Sequence, residues 1–158
     1  MAILGFGRLR AAAVVVGAFF AGVKGRARRR GSRAPTAAGK AALFINVTRG
    51  REEVHAVSMA LALARSALDE GRRVVVLFNV ASPIFASSKL GDDVREADFP
   101  PVRQMVRDVV TRGGNVLVCG HCAAVMRVDG STLLPGVTLA SHGNVLAAIE
   151  PGMVGISY

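Results

Sequence analysis

Beyond position 40 the chain alternates between short, continuously apolar runs and longer stretches where apolar residues recur every three or four positions. Ala42–Val47 (ALFINV) is the first run, and its β-branched and aromatic content predicts a strand. Glu52 and Glu53 then suit the positive end of a helix. Val54, Val57, Leu61, Ala64 and Leu68 fall at helical spacing, and Gly71 ends the helix. Val74–Val80 (VVVLFNV) predicts a second strand, followed by a long segment over 81–98. Pro100 and Pro101 suit the start of a second helix, with Val102, Met105, Val106, Val109 and Val110 on one face and Gly113-Gly114 as its stop. Asn115–Val118 predicts a third strand that closes on Cys119, and a short helical stretch continues to about Val128. Gly136–Ala140 predicts the fourth strand, Ser141 an N-cap, Asn144–Ile149 a short helix and Met153–Ser157 the fifth strand.

The order is strand and helix four times, then a closing strand. Strands that are apolar on both faces belong in a parallel sheet covered on both sides. The predicted fold class is therefore α/β: a three-layer α/β/α, flavodoxin-like domain with a mostly parallel five-stranded sheet. In such sheets the ligand site lies beyond the carboxyl ends of the strands. That rule selects Thr48-Arg49-Gly50, Ser82–Lys89, Cys119–Cys122 and Ser141-His142-Gly143, placing both cysteines and a histidine on one edge.

Charge divides the chain in two. The formal net charge is +9. Residues 1–40 hold nine Lys and Arg and no acid, whereas residues 41–158 hold 11 basic and 11 acidic residues. The excess is thus a property of a basic leader over 1–40, and the domain over 41–158 lacks the charge that nucleic-acid binding needs. Within the leader the apolar run Ala11–Val23 is shorter than the roughly 20 residues that span a bilayer. The cationic block Lys24–Arg30 comes next and opposes export of the domain. An Arg-rich, acid-free leader points to an organelle presequence, with a mistaken upstream start as the bland alternative. The expected location is a reducing compartment, an organelle matrix or stroma or else the cytoplasm, without stable membrane insertion of the domain. There a CxxC is reactive or metal-bound more often than a structural staple.

Cys119-Gly-His-Cys122 matches the tetrapeptide of disulfide isomerases. A thioredoxin-type fold needs about half its domain after the motif, and only 36 residues follow Cys122; Val118 stands where a Trp usually does. A structural zinc site wants four ligands, and here one cysteine pair is joined only by His121, His142 and His55. Two small buried hydrophobes are a third reading. A reactive thiol is the fourth. Unpaired N–H groups at a helix N-terminus lower a thiol pKa, which makes Cys119 the exposed nucleophile, Cys122 the inner thiol one turn on, and a protonated His121 an added positive charge. Arg49 suits an anionic substrate and His142 suits tuning of the thiolate; for both, a solvated surface role is the default.

The layout resembles the DsrE/DsrF-like family of sulfur-relay proteins, the group that includes the Tus-type relay subunits. Three stretches carry the likeness: LFINVTRGREEVHAVSMALALARSALDEGRRVVVLFNV, VRDVVTRGGNVLVCGHCAAV and LLPGVTLAS. The resemblance implies a cysteine at the end of the third strand, here Cys119, that carries sulfane sulfur as a persulfide. It also implies sulfur donor and acceptor proteins as partners, a homotrimer or hexamer, and no cofactor or metal. A thiol-disulfide oxidoreductase using the Cys119/Cys122 couple is the runner-up, and a non-catalytic oligomeric binding protein the third reading.

All five strands lie beyond the leader, so a chain beginning at Lys40 is expected to fold as the whole does. Far-ultraviolet circular dichroism checks this; a shortened chain without native ellipticity would contradict it.

Overall fold

The computed structural model describes residues 39–158, and the leader, with its presequence reading, lies outside them apart from Gly39 and Lys40. The elements are β1 (Leu43–Val47), α1 (Val54–Asp69), β2 (Val74–Phe78), α2 (Val102–Thr111), β3 (Asn115–Cys119), α3 (Gly120–Val125), β4 (Val137–Ala140), α4 (His142–Ala148) and β5 (Val154–Ser157). The sheet is parallel throughout, in the order β4-β3-β2-β1-β5.

That order dictates the layers. A parallel crossover is right-handed, so connections that step the same way put their helices on the same face. The three steps from β1 to β4 run in one direction. Leu43, Ile45 and Val47 of β1, Val74, Val76 and Phe78 of β2, and Val116 and Val118 of β3 accordingly pack against α1, α2 and Ala123 of α3. The fourth step reverses, from β4 back across the sheet to the far side of β1. Its helix, α4, therefore falls on the other face, where Val145 and Ala148 meet Val75, Leu77, Leu117 and Ala140. The layers are unequal: three helices cover one face and one seven-residue helix the other.

Local chemistry sets the boundaries. The Glu52 carboxylate accepts the Gly50 N–H at 3.0 Å ahead of α1. Ser141 caps α4 as expected, in a reciprocal capping box with Asn144. β2 is two residues shorter than its apolar run. Asn79 still donates its N–H to Val47 O at 2.8 Å, but Val80 takes a left-handed φ of 55° and is 59% exposed. A β-branched residue there is strained. α3 likewise stops at Val125, because Arg127 turns left-handed with φ 54°.

The segment after β2 is fastened to the rest of the domain. Phe85, Ala86 and Leu90 are fully buried, Ser88 N–H bonds Thr132 O at 2.7 Å, and Leu134 N–H bonds Ala86 O at 2.8 Å. The Thr132 turn is itself fixed by Asp129, which accepts Ser131 N–H at 2.9 Å and is held below the usual carboxylate range by that bond. The apolar positions of α1 beyond its sheet-facing stripe are met by a neighbouring helix: α2 packs on α1, and Ala60 and Ala67 are buried while Met59 stays exposed.

Gly136 opens β4 at φ +83°, and a Cβ there would collide with Val110 Cγ1. Gly136→Ala is expected to destabilise the fold by roughly 2 kcal/mol, from left-handed strain plus overpacking. Urea denaturation measures it; an unchanged midpoint would contradict it.

Candidate functional site

The reversal that divides the layers also builds the site. The chain leaves β3 toward the face of α1 and α2, and leaves β4 toward the opposite face. Adjacent parallel strands whose loops diverge open a crevice at their carboxyl ends. That crevice lies between β3 and β4, which pair Cys119 with Ala140. An open depression of ≈ 420 Å³ occupies it, lined by Cys119, Gly120, His121, Leu139, Ala140, Ser141, His142 and Asn144. Gly120 permits the turn: a Cβ there would stand 3.3 Å from the Ala140 carbonyl oxygen.

The two thiols are free, half-buried and unequal. Cys119 is the last residue of β3 and faces the depression. Cys122 is not part of that lining; its Sγ donates to Asn79 Oδ1 at 3.0 Å. Burial pushes the Cys122 thiol up, the neighbouring Cys119 sulfur pushes it the same way, and the Val80 N–H pulls against them. Cys122 is therefore held as a thiol. α3 has only six residues, so its macrodipole is short, and the asymmetry of the pair comes from what surrounds Cys122.

Sequence reasoning missed Asn79. It is the next-to-last residue of the run VVVLFNV and sits one position beyond Phe78, the partner of Val118, so register places it beside Cys119. The one signal was a polar residue near the end of a buried strand.

The other expected residues divide. His121 and His142 both line the depression and are exposed. Arg49 does not line it; it pairs with Glu53 at 2.8 Å, one helical turn on. Both partners are half-exposed, so the pair is worth only ~0.3–0.5 kcal/mol. His55 stands in the first turn of α1, 3.9 Å from Glu96. Among the described residues no group of three or more His, Cys, Asp or Glu is placed to hold a metal ion. No helix among them is long and apolar enough to cross a membrane.

Fold and site together define a small parallel α/β domain with a two-cysteine motif at the crevice where its strand connections diverge. The chain belongs to the DsrE/DsrF-like family, whose model matches residues 41–153. That family is associated with sulfur relay in general. Among solved structures the fold is similar to a Methanobacterium thermoautotrophicum protein of unknown function, MTH1491, at 14% identity and a TM-score of 0.57 over 75% of this chain and 100% of that one. It is also similar to the ychN protein of E. coli, at 11% identity and a TM-score of 0.50 over 73% and 99%. At these identities the likeness establishes the fold alone. No curated protein matches the chain.

The raised Cys122 value has two expected consequences. Only the thiolate alkylates, so mass-resolved iodoacetamide labelling near pH 7.5 should modify Cys119 well before Cys122, and the gap should narrow above pH 9. The folded state holds the Cys122 proton more tightly than the unfolded chain, so this group favours folding below the ordinary thiol range. That contribution is lost as pH rises through the higher folded value. The alkaline fall in stability should therefore be shallower in Cys122→Ala than in wild type, measured by urea midpoints between pH 8 and 10.

Proposed function

We propose that this protein is a sulfur-relay protein that carries sulfane sulfur as a persulfide on Cys119. The observation that carries the reading is the placement of Cys119, alone of the two thiols, on an open depression at the divergence of β3 and β4. Family membership supports the class of chemistry. The step balances simply. The Cys119 thiolate attacks the outer sulfur of a persulfide donor, a new S–S bond forms at Cys119, the donor's S–S bond breaks, and the donor leaves as its own thiolate. Handing on runs the same exchange toward an acceptor thiolate. His121 and His142, on the rim of the depression, would meet an anionic donor there.

The reading carries with it an assembly of identical chains, a trimer or hexamer. What supports association is apolar surface concentrated at β4, α4 and β5: Leu139, Leu146, Ile149 and Val154 are all exposed, Leu146 at 71%. Light scattering at micromolar concentration tests it, and a monomer would contradict it.

Intact mass after treatment with a persulfide donor tests the carrier. Wild type and Cys122→Ser are expected to gain one sulfur atom, and Cys119→Ser none. Equal loading of wild type and Cys119→Ser would end the proposal. A loss of two hydrogens in place of the gain would favour a dithiol oxidoreductase.

A further inference from the structure

Two thiols three residues apart carry a hazard for a sulfur carrier. With a persulfide on Cys119, a Cys122 thiolate can attack Cys119 Sγ. The bond from Sγ to the outer sulfur breaks, a Cys119–Cys122 disulfide forms, and the outer sulfur leaves as hydrosulfide. Counting that sulfur as S(0), it gains the two electrons that the two thiols lose, so the step needs no external oxidant. The cargo is wasted and the site is left oxidised.

Asn79 stands where it can suppress this. Its Oδ1 accepts the Cys122 S–H at 3.0 Å and the Val80 N–H at 2.9 Å. The main chain around it is pinned on both sides. Asn79 N–H bonds Val47 O at 2.8 Å, Ser82 N–H bonds Asn79 O at 3.0 Å, and the buried Ser82 hydroxyl lies 2.6 Å from Val47 O. Val80 keeps its left-handed φ of 55° inside that turn. Strain of this kind persists only where the surroundings over-determine it, and here it directs the Val80 N–H onto the same carboxamide oxygen.

We propose that Asn79 is a positioning residue: it holds the Cys122 S–H on its own carboxamide oxygen and so protects a carried sulfane sulfur from discharge as hydrosulfide. The inference rests on the persulfide reading above. The groups that act on Cys122 are Cys119 from β3, the titratable one among them, the Asn79 carboxamide and Val80 N–H from the turn after β2, and the Cys122 N–H itself. Burial acts in the same direction as the hold, against the thiolate.

The test loads wild type, Asn79→Ala and Asn79→Asp with glutathione persulfide, removes the donor without oxygen, and follows intact mass and released hydrosulfide at pH 7.5. Asn79→Ala is expected to discharge roughly fivefold faster than wild type, the factor that one neutral hydrogen bond supplies, and to end as the disulfide. Asn79→Asp keeps an acceptor and adds a charge that opposes the thiolate, so it should hold its cargo at least as long as wild type. Adding Cys122→Ser to Asn79→Ala should stop the discharge. Equal discharge from wild type and Asn79→Ala, or discharge that survives Cys122→Ser, would overturn the proposal. A second measurement uses unloaded protein: the pH profile of Cys122 alkylation should move to lower pH in Asn79→Ala. Wild type that takes up no sulfur would sink the carrier reading and the protective role with it, while the alkylation profiles would still decide the hold on Cys122. Coincident profiles would overturn that hold.

Discussion

The handedness of parallel crossovers is the constraint on which this molecule depends. Three connections step across the sheet in one direction and the fourth returns. Right-handed crossing then places α1, α2 and α3 on one face and α4 on the other. One reversal has two effects. The chain ends leaving β3 and β4 diverge and open a crevice, and Cys119 is the last residue of the strand that borders it. The face that receives only α4 is left thinly covered, with Leu139, Leu146, Ile149 and Val154 exposed around it. The site and the apolar surface share a cause.

Within the crevice the chemistry turns on an inequality between two identical side chains. Three residues of separation carry the chain from a strand end to the first turn of a helix, and so from the mouth of a depression to the back of a turn. Cys119 meets the open space, whereas Cys122 meets the carboxamide of Asn79 and loses solvent. A CxxC motif read as a symmetric couple misses this. Burial raises the cost of the inner thiolate. The Asn79–Val80 turn that meets Cys122 is strained at Val80 and pinned by Val47 and Ser82.

Much of the domain was legible along the chain. Each of the five strands was visible as an apolar run, and the run is purest in β2, which is buried along its whole length and has no polar position to spare. The caps were legible too: Ser141 with Asn144 is a local hydrogen-bonding device that depends on no distant residue. The errors fall where distant contacts override local preference. Val74–Val80 reads as one strand by composition, yet Val80 leaves the sheet because the turn around it is tied through Ala81 N–H to the carbonyl of Thr48, the residue after β1. The rule of strand ends selects Ser82–Lys89 for the site, and that segment is instead fastened to the turn at Thr132 and lines no part of the depression.

By itself the sequence determined the α/β class, the order of elements, and the presence of Cys119, His121 and His142 on the carboxyl edge of the sheet. Those features derive from hydrophobic periodicity and local turn chemistry, which are written in consecutive residues. Only the tertiary structure decided which of four edge loops share a crevice, because that depends on strand order, and strand order is set by packing between segments far apart in the chain. It likewise separated Arg49, paired with Glu53, from the residues of the depression. It also brought Asn79 against Cys122 across 43 residues of chain. Spacing along the backbone carries no trace of such a contact, since it exists only once β2 and β3 lie side by side.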